Sequence, residues 1–280
     1  PAGKWDNTPV RALEHLESLL MSAVLAAGNR KSEPRPAEKL LILGYAAIGD
    51  LIFFLPVLEA LRKRYPAAKF TFLANSAPVT TELLPATGLI DEFLLLDWEG
   101  PKAAGKREVN RRIASAGFDA AVLTLSSPAH FFQEGLSRIP LRVGHTRPFE
   151  PAGLLNAKLR LQRGLVTGEF ARRAVLNAPV AIGTPSEYAV TRNLRLLEAF
   201  GIPAPQAAPK PKLVTEQRRL WAKEQLAALG QKPRVAVHLG PVTNQYHKIW
   251  DHERFGRLCA KLEKSAELVV VGAADEQGAL

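Results

Sequence analysis

Leu40-Leu41-Ile42-Leu43-Gly44-Tyr45-Ala46-Ala47-Ile48-Gly49-Asp50-Leu51 is the stretch on which the fold turns. Four consecutive aliphatic residues without polar alternation fit a strand buried on both faces, as in a parallel sheet covered by helices. Gly44 ends the run. Leu51, Leu55, Leu58 and Leu61 then recur at helical spacing until Tyr65 and Pro66. Strand, glycine-bearing turn and helix form the opening unit of a doubly wound α/β fold, which receives ligands at the carboxyl ends of its strands.

Outward from that unit, Lys69 to Ala74, Phe93 to Leu96 and Ala120 to Leu125 read as further strands with helical segments between them. Glu187 to Phe200 reads as a helix closed by Gly201 and Pro203. Residues 203–211 hold four prolines in nine positions and read as a stiff linker. Beyond it, Thr215 to Leu229 and Asp251 to Lys264 read as helices, and Val235 to Leu239 and Leu268 to Val271 as strands. Two strands cannot make an independent parallel domain, so the second domain is expected to be cut short at Leu280. The chain begins at Pro1, with Met21 its one methionine, which points to a fragment. The expected plan is a helical appendage over 1–37, with Val10, Leu13, Leu16, Leu20 and Val24 on one helix face. An α/β domain over 38–203, a linker over 204–211 and the start of a second α/β domain over 212–280 follow.

The 280 residues are 47% hydrophobic and 23% charged, which excludes disorder and coiled coil. The single cysteine, Cys259, excludes a disulfide framework. Phe255 and Leu262 flank it at helical spacing, so it reads as core. No run reaches the roughly 18 apolar residues of a membrane span, since Ile48 to Leu58 is broken by Asp50 and Pro56. Without an apolar leader near Pro1, a cytoplasmic location is expected. The net charge is +10, and Pro101 to Arg173 holds 13 Lys/Arg against 5 Asp/Glu. That basic window implies either an anionic partner or a solvated surface. Its aromatics do not interleave with the basic residues, which disfavours nucleic acid. The appendage either packs on the main body or touches an anionic membrane surface.

Two segments could carry chemistry. The turn at 44–50 is no Walker A loop, because Asp50 follows Gly49 where that motif needs Lys and Ser/Thr. It also has too few glycines for the dinucleotide fingerprint. A carboxylate there repels phosphate but suits a general base acting on a hydroxyl. The competing reading makes Asp50 the N-cap of a helix starting at Leu51. The second segment runs from His238 to Trp250. Gly240 would let backbone approach a ligand, Thr243 offers a hydroxyl and Lys248 a cation, and a helix N-terminus follows at Asp251. Those parts suit a diphosphate, although an ordinary basic loop can contain them all. His238 and His247 lack a carboxylate to complete a metal set, so no metal or other cofactor is expected. Ser126-Ser127-Pro128 lacks a nucleophile elbow, leaving Ser126, with His130, available to line a pocket.

Taken together, these segments resemble the lipopolysaccharide heptosyltransferase family, glycosyltransferase family 9. Leu40 to Leu51 followed by Leu55-Pro56 and Leu58-Glu59-Ala60-Leu61-Arg62 is similar to its opening. Arg142-Val143-Gly144-His145 resembles its basic mid-domain segment, and Arg192 to Gly201 the helix that ends its first domain. Val235 to Leu262, with Lys248-Ile249-Trp250 and Glu253-Arg254-Phe255, resembles the start of its nucleotide-binding domain. The resemblance implies a GT-B fold of two Rossmann-like domains with the active site in a cleft between them. It implies inverting, metal-independent transfer of heptose or a similar sugar from an ADP-sugar to an anionic lipopolysaccharide-core acceptor. Asp50 would be the base. Lys248, Gly240 and Thr243 would hold the donor diphosphate, although Pro241 has no N–H to donate. Gly49, Ser126, Arg142 and His145 would face the acceptor. The family's Asp-Thr-Gly segment would fall beyond Leu280. The rival expectations are transfer to another surface glycan, and a truncated homologue that binds anionic glycan or lipid without catalysis.

Overall fold

The computed structural model describes residues 20, 22–24, 36–44, 48–75, 82–96, 102–124, 132–146, 171–184, 186–204, 214–238 and 250–272. The chain divides into two compact units, Pro1–Leu213 and Val214–Leu280.

The first unit is built on six parallel strands: β1 (Lys39–Leu43), β2 (Lys69–Asn75), β3 (Glu92–Leu96), β4 (Ala120–Leu123), β5 (Leu141–Thr146) and β6 (Ala178–Ala181). Their order is β3-β2-β1-β4-β5-β6, so β1 sits inside the sheet and the winding direction reverses between β1 and β4. Leu40 pairs in register with Phe70 on one side and Ala120 on the other. Leu40, Leu41, Ile42 and Leu43 are all fully buried, each contributing about 1.5–3 kcal/mol of transfer free energy.

The two faces hold separate cores. Leu40 and Ile42 join Phe70, Phe72, Val122 and Val143 against α1 (Ile48–Arg64) and the segment of α5 (Ala189–Leu194) with its 3-10 extension Arg195–Phe200. Leu41 and Leu43 join Leu73, Leu94 and Leu123 against α3 (Lys102–Ser115) and α4 (Gln133–Ser137). A short helix, α2 (Leu84–Thr87), links β2 to β3.

Polar contacts tie the layers. Pro56 lies inside α1, where it removes one intrahelical donor. One turn away, the Phe53 carbonyl accepts a hydrogen bond from Asn193 Nδ2 at 3.0 Å, joining α1 to α5. Arg62, near the end of α1, donates to the carbonyls of Ala68 and Leu89 and pairs with Asp91 at 2.6 Å. Its guanidinium lies 3.9 Å from the centre of the Phe70 ring. Burial pushes the Asp91 carboxyl up, but the Phe70 N–H and Arg62 outweigh it and hold the group below its usual range.

β5 and β6 were not expected from the sequence. Arg142 and His145 interrupt the apolar run of β5, yet all six of its residues are buried. Arg142 satisfies its guanidinium internally, donating to the carbonyls of Ile139 and Val175. β6 contains Pro179, and a proline is tolerated here because β6 is an edge strand. The helix expected over 187–200 begins instead at Ala189, and its last six residues tighten to a 3-10 helix closed by Gly201 at φ 65°. Most of the expected appendage lies outside the described residues. Ser22, however, is fully buried and accepts a hydrogen bond from Gln133 Nε2 of α4.

The second unit pairs β7 (Arg234–His238) with β8 (Glu267–Val271) in parallel. α6 (Glu216–Gln225) is capped by Thr215, and α7 (His252–Leu262) by Asp251, whose Oδ1 accepts from the Arg254 N–H at 2.9 Å. Phe255, Cys259 and Leu262 share the half-buried face of α7, so Cys259 is half-buried instead of enclosed.

Two outcomes test this packing. A methyl group on Gly44 would stand 1.9 Å from Cζ of Phe72, so Gly44→Ala should lower stability by about 1–3 kcal/mol in urea unfolding. His145 is pushed down to about 4 from its usual 6.5, chiefly by burial and further by Arg192, Arg172 and Arg195, against an opposing effect of the Val180 backbone. The unfolded chain therefore takes up a proton below about pH 6.5 that the folded chain refuses until about pH 4. Stability should be complete above that window and fall through it by up to about 1.4 kcal/mol per pH unit. His145→Asn should flatten this slope in unfolding measured from pH 7.5 to 4.5.

Candidate functional site

The winding reverses between β1 and β4, the position beyond whose carboxyl ends a doubly wound sheet receives its ligands, and α1 follows β1 there. Gly44 is buried there, and its N–H donates to the Leu73 carbonyl at 3.2 Å. The close Phe72 ring explains why a glycine ends β1. Just past the end of the neighbouring β4, the Thr124 N–H bonds to the Leu43 carbonyl at 3.1 Å, and the Thr124 carbonyl accepts from Arg172 Nη1 at 2.9 Å. The Thr124 hydroxyl is inaccessible and has no hydrogen-bond partner among the described residues.

Asp50 is exposed in the first turn of α1. Because the helix begins at Ile48, Asp50 is its third residue, and the expectation that it caps a helix starting at Leu51 does not hold. At this position the helix dipole favours the negative carboxylate. α1 is the helix that follows the carboxyl end of β1, where a doubly wound sheet presents functional groups. Gly49 is exposed beside Asp50, and a Cβ there would meet nothing within 4 Å. Packing therefore does not demand glycine at 49, in contrast to 44.

The remaining acceptor-side residues separate. Ser126 and His130 lie outside the described residues. Arg142 is buried on β5, with its guanidinium on the Ile139 and Val175 carbonyls, and its backbone N–H donates to Asn177 Oδ1 at 2.7 Å. These bonds give Arg142 a part in holding β5 to the loop before β6. His145, near the end of the same strand, is fully buried and neutral. On the donor side, Gly240, Thr243 and Lys248 lie outside the described residues. The ends of their loop are described. His238 closes β7 and is exposed, Trp250 packs edge-on against Phe255 with ring centres 5.3 Å apart, and Asp251 opens α7.

One group of residues escaped the sequence reading. Arg172, Arg192 and Arg195 all act electrostatically on His145. Their sequence positions carry no shared motif, and only the topology of the sheet brings them together. Among the described residues no helix is long and apolar enough to cross a membrane.

Residues 152–279 match the family model described as glycosyltransferase family 9 (heptosyltransferase). No curated protein matches the chain. Among solved structures, the glycosyl transferase family 9 protein of Veillonella parvula DSM 2008 aligns with 86% of this chain at 18% identity and a TM-score of 0.62. E. coli ADP-heptose lps heptosyltransferase II aligns over the same share at 18% identity and a TM-score of 0.57. E. coli heptosyltransferase WaaC, solved with ADP-2-deoxy-2-fluoro heptose, gives 17% identity and a TM-score of 0.55. The chain spans 64% of the Veillonella protein's length, 66% of heptosyltransferase II and 71% of WaaC. These likenesses establish the α/β fold of GT-B glycosyltransferases. The chain is thus similar to glycosyltransferase family 9 in sequence over 152–279 and to its solved members in fold over most of its length.

Proposed function

We propose that this protein is a glycosyltransferase that moves a heptose or similar sugar from an ADP-linked donor to an anionic glycolipid acceptor of the lipopolysaccharide core. The observation that carries this reading is Asp50, an exposed carboxylate at the carboxyl end of the central strand, set in a chain that matches family 9. An E. coli heptosyltransferase of similar fold binds an ADP-heptose analogue, which supports an ADP-sugar as donor.

In this mechanism Asp50 accepts the proton of the acceptor hydroxyl as that oxygen attacks the anomeric carbon. The bond from that carbon to the diphosphate breaks as the new glycosidic bond forms, on the opposite face and with inversion. Lys248, Gly240 and Thr243, ahead of the α7 N-terminus, receive the charge that develops on the departing diphosphate. The roles of Gly49 and Ser126 are to leave room for the acceptor and to bond its hydroxyls. No step calls for a metal. A peripheral position at the cytoplasmic face of the inner membrane would bring a lipid-linked acceptor to the basic first unit.

Asp50→Asn in the full-length protein should reduce turnover by about 10² or more while leaving donor affinity unchanged and costing only about 0.3–1 kcal/mol of stability through the lost helix-dipole interaction. Turnover within a fewfold of the parent would remove Asp50 from the base role. Lys248→Ala should instead raise the donor Kd, measured by calorimetry with ADP-heptose. An unaltered donor Kd together with an unaltered rate would exclude Lys248 from the diphosphate site.

A further inference from the structure

Two aromatic side chains of the first unit stand outside its cores. Phe53 on α1 is 37% exposed and Tyr188, just before α5, is 64% exposed, whereas Phe54, Phe70, Phe72 and Phe132 are almost fully enclosed. The exposed rings meet each other edge-on, with centres 6.3 Å apart and planes at 63°. Single apolar side chains on a surface need no explanation, but a contiguous aromatic pair does.

Both rings are carried on anchored backbone. The Phe53 carbonyl accepts from Asn193 Nδ2, which ties its turn of α1 to α5. Glu187, the residue before Tyr188, accepts from the Gly183 N–H at 2.9 Å and pairs with Arg195 at 3.2 Å. Tyr188 is the extended residue from which α5 starts, at φ −60° and ψ 130°. The fold thus holds in place two rings that it does not bury.

Helical spacing sets this pair beside the proposed base. Phe53 follows Asp50 by three residues and Gly49 by four, the separations at which side chains on a helix are neighbours. A helical side chain lies over the turn N-terminal to its own Cα, here the turn of Gly49 and Asp50. A Cβ at Gly49 would meet nothing within 4 Å, so space is open one turn before Phe53. The nearby charges, Asp50 and Glu187, are carboxylates and disfavour an anionic group at this spot. An uncharged sugar ring suits it. The C–H face of a pyranose is apolar and weakly positive and lies against the negative face of an aromatic ring, and the tyrosine hydroxyl can bond a sugar hydroxyl.

We propose that Phe53 and Tyr188 form an aromatic shelf on which a pyranose ring of the acceptor rests by its C–H face, with its reacting hydroxyl toward Asp50. That the ring belongs to the acceptor rests on the function proposed above. Contact of the shelf with a sugar does not, and it is measured separately.

The test of contact is saturation-transfer NMR of the full-length protein with methyl α-D-mannopyranoside and no donor. Saturating the aromatic protons of the parent should transfer signal to the ring C–H protons of the sugar. Tyr188→Phe should bind as the parent does, whereas Tyr188→Leu and Phe53→Leu should each raise the sugar Kd by about threefold to tenfold. Leucine retains an apolar side chain without the aromatic face, so it would satisfy a role in packing alone. In transfer assays Tyr188→Leu should raise the acceptor KM by a similar factor with kcat and donor Kd unchanged, and Tyr188→Phe should keep the parent's KM. Leu95→Ala, at an exposed apolar side chain of the edge strand β3, should alter neither binding nor KM. The proposal is overturned if the parent passes no saturation to the sugar, if Tyr188→Leu binds it as the parent does, or if Tyr188→Leu weakens the donor in place of the acceptor. Sugar contact without any transfer by the parent would uphold the shelf and sink the proposed function; transfer without sugar contact would do the reverse.

Discussion

The arrangement of the first unit depends on the burial of β1 on both faces between β2 and β4. Four aliphatic side chains in succession feed two separate cores, Leu40 and Ile42 toward α1, Leu41 and Leu43 toward α3 and α4. A one-residue slip would exchange the two sets and bring misfitted side chains into both cores. Register is therefore fixed, and with it the height at which Gly44 leaves the sheet. Phe72 closes against that glycine, so the chain has no room for a side chain before it turns toward α1. The position of Asp50 follows from that turn.

Much of this architecture is written locally. A strand buried on both faces shows as an unbroken apolar run, and Leu40–Leu43 shows it; helical spacing from Leu51 to Leu61 is equally plain. β5 and β6 escaped because each breaks the local rule for a reason visible only in three dimensions. Arg142 can be buried because the Ile139 and Val175 carbonyls receive it, and Pro179 can sit in a strand because that strand lies at the edge. At the site, the Gly49-Asp50 pair drew notice through its place after the first strand. The structure corrected its helical position from cap to first turn. The electrostatic influence of Arg172, Arg192 and Arg195 on His145 had no local signature, since all three stand far from it in sequence.

The charge balance also reads differently once the residues are placed. Between Pro101 and Arg173 the sequence carries a marked basic excess. Two of those arginines, Arg142 and Arg172, are buried and bonded to backbone carbonyls. Arg62, outside the window, is likewise engaged with Ala68, Leu89 and Asp91. Net charge therefore overstates the basic surface that solvent or a partner meets. Exposed cations on α3, such as Arg107 and Arg112, are a different population from those around His145.

The central claim divides labour within one chain: acceptor chemistry at the carboxyl end of β1, donor diphosphate on the loop between β7 and α7. Backbone hydrogen exchange of the full-length protein, with and without ADP, tests it most directly. The division predicts slower exchange across 239–251 and the first turn of α7 when ADP is present, with 44–51 unchanged. Protection confined to 44–51 would place the nucleotide on the first unit and contradict the assignment of Asp50 and Lys248 to opposite sides of the reaction.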